Sequence, residues 1–265
     1  MNHSLCIFIM FLISEIAFGQ IDTRLGGKII FQQQFNERYA VNSATPENIE
    51  MVSDPAGSER TVFRMRVRDT DRKVYGGIRT EISPQREYKR EGIRWYAISV
   101  YFPKDWEFHP YPAIVGQLHT SQKTVVVSPP VSLVVKGDNL DLELHSNTRD
   151  MEKGEVVTKE NSTRQIIRLD KLKLEKWYCF VMRIDWSYMP GMGSFKLWMN
   201  GDKVYETINT PNSYQTWLGN YPKAGIYMPG MMGVSERTVY IDFIHLGGAR
   251  TGYEDMQKLT PCQHK

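Results

Sequence analysis

An alternation of apolar and polar residues with a period of two recurs along this chain, in residues 62–68, 95–102, 131–135, 139–145, 194–199 and 239–245. Side chains alternate across an extended strand, so this pattern buries one face and leaves the other to water. A longer apolar-rich run at 177–186 reads as a strand covered on both faces. Gly and Pro punctuate the intervals, and Asn200-Gly201 directly after Met199 is a two-residue hairpin signal. Helical spacing is confined to two short candidates, near 168–174 and 210–217. Many strands without alternating helices predict an all-β sandwich of two packed antiparallel sheets. The 41% hydrophobic content is enough for one packed core, and no biased linker divides the chain.

The N-terminus sets the expected compartment. Residues 5–13 are continuously apolar, and Ala17-Phe18-Gly19 gives a small-x-small cleavage pattern before Gln20. The run is too short for the roughly 20 residues of a membrane helix. Residues 1–19 are therefore read as a secretory signal peptide and 20–265 as a single domain, secreted to an extracellular or periplasmic space. Cys6 leaves with the leader. Cys179 and Cys262 remain, either as one disulfide or as a buried thiol and a free one. A net charge of +3 from scattered basic residues argues against nucleic acid and is compatible with a polyanion. Neither a membrane nor a second subunit is expected as a partner.

Two short segments carry the chemistry. In Gln117-Leu118-His119 the amide and the imidazole project from one strand face while Leu118 points to the other. In Tyr221-Pro222-Lys223-Ala224-Gly225-Ile226-Tyr227 an ammonium and a phenol share a face, with Lys223 roughly 13 Å from Tyr227 if the segment is fully extended. Together they supply groups for moving a proton beside a carboxylate. With Arg79-Thr80-Glu81-Ile82 upstream, the three blocks in this order resemble the jelly-roll polysaccharide lyases, a family that includes alginate, glucuronan and type I heparin lyases. The resemblance implies a concanavalin A-like β-jelly-roll with a concave substrate groove and β-elimination of an anionic uronic-acid polysaccharide. Ser83 stands where alginate lyases of this kind carry a second arginine, and Met228-Pro229 follows Tyr227 where they carry Asn-Gln. The compact length is similar to that of glucuronan lyases, which places glucuronan ahead of alginate and heparin-like chains.

Elimination requires removal of the C5 hydrogen of a uronate, which is hardly acidic while the neighbouring carboxylate keeps its charge. Arg79 is expected to neutralise that carboxylate bidentately, and Gln117 to donate an amide hydrogen to it. His119 and Tyr227 are the expected base and acid; for syn elimination Tyr227 could serve as both. Lys223 is expected to bind a substrate anion and Glu81 to orient Arg79 at the binding site. His145 and Asn147 are further candidates for the groove wall, although a solvated strand face also accounts for His145. No His-Glu-x-x-His, Cys-x-x-Cys or carboxylate-rich calcium loop occurs. No cofactor is expected, and a structural calcium near Asp242 is the one metal role left open. Two rival functions remain at this level. One is a carbohydrate-binding module stacking sugars on Trp106, Tyr111 and Trp217; the other is a glycoside hydrolase, which would need two carboxylic acids about 5–10 Å apart.

Overall fold

The computed structural model describes residues 29–32, 39–121, 128–149, 155, 160–215 and 218–262; the expected leader and Trp217 lie outside them. Its strands form two antiparallel sheets. One runs, in spatial order, β13 (Asp202–Ile208), β12 (Ser194–Met199), β11 (Lys176–Trp186), β6 (Gly92–Phe102), β15 (Glu236–Ile241), β4 (Thr61–Arg68) and β3 (Ile49–Ser53). A short β16 (His245–Gly247) bonds to β6 and to β1 (Ile29–Gln32). The second sheet runs β10 (Thr163–Lys171), β9 (Asn139–Ser146), β8 (Val131–Lys136), β7 (Ala113–Ser121), β14 (Gly219–Met228), β5 (Ile78–Pro84) and β2 (Tyr39–Ser43). This is the expected jelly-roll sandwich.

The alternation read from the sequence decides which side chains lie between the sheets. Phe63, Met65 and Val67 of β4 face Ile82, Leu118, Leu133 and Leu142 of the second sheet, all within one buried cluster. Inside it the Trp186 indole donates to the Tyr96 hydroxyl at 2.9 Å, so both polar tips are satisfied. At Asn200-Gly201 both residues take positive φ (53° and 101°), closing the β12–β13 hairpin as its sequence requires. Cys179 and Cys262 form a disulfide, with Cα atoms 6.1 Å apart, that ties the C-terminal segment to β11.

Three local expectations are corrected. Residues 168–171 are strand, because Arg164, Ile166 and Arg168 alternate with Gln165, Ile167 and Leu169 and the backbone completes the ladder along β9. Residues 210–215 are irregular, held by Asn212, whose side-chain amide donates to the Asp185 and Ser194 carbonyls. The run 239–245 is two strands, interrupted at residues 242–244, where the Asp242 amide bonds to the Ser99 carbonyl at 3.2 Å. Asp242 lies at this break. It is buried, it accepts from Arg60 Nη1 at 3.1 Å, and its Oδ2 lies 3.7 Å from His245 Nε2. Among the described residues no cluster of His, Cys, Asp or Glu is arranged to hold a metal, and no helix is long and apolar enough to cross a membrane.

Candidate active site

The outer face of the seven-stranded sheet carries a groove of about 1300 Å³. Arg79 from β5, Gln117 and His119 from β7, and Tyr221, Lys223 and Tyr227 from β14 all line it. The three strands are neighbours in the order β7-β14-β5, with Tyr221 opposite His119, Lys223 opposite Gln117, and Tyr227 opposite Arg79. Residues remote in sequence therefore meet because the ladder register places them there.

One buried carboxylate organises the floor. Glu81 is 2% exposed, its Oε2 accepts from Arg79 Nη1 at 3.0 Å and lies 3.9 Å from Lys223 Nζ, and its Oε1 accepts from Gln117 Nε2. To reach Gln117 the Glu81 side chain must pass over β14, and its register partner there is Gly225. Gly225 has φ of 146° and sits so close to β5 that a β-carbon would overlap the Thr80 carbonyl oxygen. The glycine of the Lys-Ala-Gly-Ile-Tyr run thus allows the close approach of the two backbones. Against β7 the register shifts between Ala224 and Tyr227, while the unbroken pairing with β5 keeps Tyr227 on the same face as Lys223.

Around this floor the cations and the proton-transfer candidates are distinct. Arg79 is 4% exposed, donates from Nη2 to the Tyr75 carbonyl at 3.2 Å, and lays its guanidinium 3.7 Å over the Tyr227 ring. Lys223 is 5% exposed, and burial lowers its pKa. His119 donates from Nδ1 to the Thr120 carbonyl at 2.7 Å, which leaves Nε2 as the bare lone pair. Burial first, then the Lys223 and Arg79 charges, push the His119 pKa down to about 4, so the ring is neutral at pH 7. Tyr221 packs against it with ring centroids 5.7 Å apart, and burial pushes the Tyr221 hydroxyl up to about 12.

Two candidates fall elsewhere. Glu81 lies beneath the groove wall rather than on it, so its contacts go to Arg79, Gln117 and Lys223 and not to a ligand in the groove. Asn147 is buried off the groove, where its Oδ1 accepts from the Arg149 amide at 2.7 Å and its Nδ2 donates to the Asn161 carbonyl. Gln117 Nε2 gives one of its two hydrogens to Glu81. His145 does line the groove, 3.7 Å from Glu143, which also holds Arg164 at 3.0 Å. Trp106 is 4% exposed and packs edge-on against Phe102 in the core, so it offers no stacking platform. Sequence reasoning passed over Tyr75, Tyr88 and Arg164 on the groove wall. Arg164 lay just ahead of a stretch read as helical, Tyr75 sits in a turn, and Tyr88 lies in an irregular segment.

Solved structures of known proteins share this architecture. Over 85% of this chain and 95% of the other, the endo-β-1,4-glucuronan lyase from the fungus Trichoderma reesei superposes with a TM-score of 0.68 at 19% identity. Alginate lyase A1-II′, a member of polysaccharide lyase family 7, gives a TM-score of 0.52 at 15% identity over 79% of this chain and 94% of the other. The botulinum neurotoxin serotype C1 binding domain reaches 0.54 at 10% identity over 91% of this chain and 53% of the other, so fold likeness alone does not separate functions. No curated protein sequence matches. The family model for polysaccharide lyase matches residues 27–245, which contain all three sequence blocks of the groove, and the chain belongs to that family of enzymes.

Proposed function

We propose that this protein is a secreted lyase that cleaves a uronic-acid polysaccharide by β-elimination, with glucuronan preferred over alginate and heparin-like chains. The observation that carries the reading is the convergence in one groove of two buried cations, a neutral imidazole with a free Nε2, and a phenol under a guanidinium. Among the described residues the groove wall presents Arg79, Arg86, Arg164 and Lys223 against one wall carboxylate, Glu143, a field that draws in a polyanion. Hydrolysis would need two opposed carboxylic acids; Glu81 lies beneath the wall, already bonded to Arg79 and Gln117.

The bond changes follow from these positions. Arg79, with the second Gln117 hydrogen, neutralises the uronate carboxylate and stabilises the negative charge that builds on it as the C5 proton leaves. His119 Nε2 takes that proton in anti elimination, the C5–H electrons form the C4–C5 double bond, and the C4–O4 bond breaks. Tyr227 gives its hydroxyl proton to O4, which becomes the new reducing end of the neighbouring sugar. In syn elimination Tyr227 performs both transfers. Solvent then returns a proton to Tyr227 and takes one from His119, so no oxidant, metal or cofactor enters the balance.

Two features support the substrate preference. Ser83 donates to the Pro222 carbonyl at 2.9 Å, a structural bond in place of a second arginine on β5. The glucuronan lyase also superposes more closely than the alginate lyase. Secretion rests on the 1–19 leader. The test is to incubate the mature protein separately with glucuronan, alginate, heparin, heparan sulfate and ulvan and follow the ultraviolet absorbance of the conjugated uronate. The expected result is the fastest rise with glucuronan. New reducing ends without that absorbance would refute elimination.

A further inference from the structure

Tyr75 stands at the rim of the groove in an unusual state. It is 80% exposed, and its φ of 47° together with 84° at Gly76 makes residues 74–77 a two-residue turn of the left-handed type. Such turns favour Asn-Gly, and a bulky aromatic at positive φ costs folding free energy. A side chain that lies mostly in water returns little of that cost by packing. The turn is nonetheless firmly held, because Val74 and Gly77 exchange backbone hydrogen bonds of 2.8 and 3.3 Å. Its Tyr75 carbonyl accepts from Arg79 at 3.2 Å, and a β-carbon on Gly77 would overlap Cε2 of Tyr227. The turn that carries the ring is thus held beside two groups of the reaction centre. Across the groove, beyond the other end of β5, Tyr88 also lines the wall and meets Tyr221 edge-on at 5.2 Å.

We propose that Tyr75 is a sugar-stacking residue, whose ring packs on the apolar face of the pyranose next to the uronate held by Arg79. This rests on the polysaccharide-binding reading of the groove and adds a subsite to it. A planar ring supplies contact area at low conformational cost, and its exposed face in the free protein is the face a sugar would cover. Tyr75 acts in binding; proton transfer stays with His119 and Tyr227.

The test compares Tyr75→Ala, Tyr75→Phe and Tyr75→Gly in initial-rate kinetics on glucuronan and in electrophoresis through gels containing the same polymer. Loss of one aromatic contact is expected to raise KM about 3–10-fold in Tyr75→Ala, with kcat within about twofold, while Tyr75→Phe keeps the wild-type KM. Tyr75→Gly should show the same rise in KM together with an unfolding midpoint about 2–4 °C higher, because the strain is relieved while the contact is lost. An unchanged KM in Tyr75→Ala, or a loss confined to kcat, overturns the assignment. A wild type that is retarded by polymer yet forms no unsaturated product refutes elimination alone. The stacking role is then decided by whether Tyr75→Ala is retarded less. A wild type that no polymer retards overturns both.

Discussion

Replacing Glu81 with glutamine keeps the shape of the groove floor and removes its buried negative charge. With an effective dielectric of about 20, the Glu81 attraction to Arg79 at 3.0 Å is roughly 5 kcal/mol and that to Lys223 at 3.9 Å roughly 4 kcal/mol. Much of this gross sum is offset, since the variant no longer dehydrates a carboxylate. Breaking a buried pair by removing one partner costs about 3–5 kcal/mol net, and both cations here stay buried without their counter-charge. In a chain of this size each kcal/mol moves the unfolding midpoint by about 2–4 °C, so Glu81→Gln should melt roughly 6–20 °C below the wild type. Circular dichroism during heating reads this directly. A second arm uses the Tyr227→Phe background, in which polymer is cleaved far more slowly. There, glucuronan should raise the midpoint of Glu81→Gln more than that of the Glu81 parent, because substrate carboxylates replace the lost charge. A midpoint within about 2 °C of the wild type would refute the role of Glu81 as organiser of the three groups.

His119→Ala and Tyr227→Phe should each lower turnover by about 10²–10⁴-fold with an unchanged circular dichroism spectrum; near-normal rates in both folded variants would remove them from the chemistry. The His119 pKa of about 4 sets the acid limb of kcat/KM near that pH, and Lys223→Met should move the limb upward by deleting a neighbouring positive charge. The same group affects stability. The unfolded chain binds the proton near pH 6.5 and the folded one only near 4, so its contribution is complete above about 6.5 and is lost as pH falls toward 4. Unfolding midpoints measured between those pH values should fall on acidification, and less so in His119→Ala. Cys262→Ser opens a crosslink spanning 83 residues and should cost about 3–4 kcal/mol in denaturant titrations while activity at room temperature is retained.

The strands were legible because a buried face imposes its period on the sequence wherever the other face meets water. Where that contrast is weak the reading slipped: β10 is an edge strand with Arg, Gln and Lys along it, and only its pairing with β9 makes it extended. The break at 242–244 is a tertiary effect of the Arg60–Asp242 pair and does not show in the local alternation. In the site, the shared face of Gln117 and His119 followed from strand geometry alone. The reach of Glu81 across β14 did not, since it depends on β5 and β7 being separated by one strand. Tyr75 and Tyr88 were missed for a related reason. A single aromatic outside a strand has no period, and its meaning comes from the groove it borders.

The most direct test of the central claim is the mass of the products released from glucuronan in a short digestion. Elimination predicts oligosaccharides whose non-reducing ends lack one water relative to the intact sugar, formed by the wild type and abolished in His119→Ala and Tyr227→Phe. Products carrying the full water of hydrolysis, or unsaturated products formed equally well by all three proteins, would contradict it.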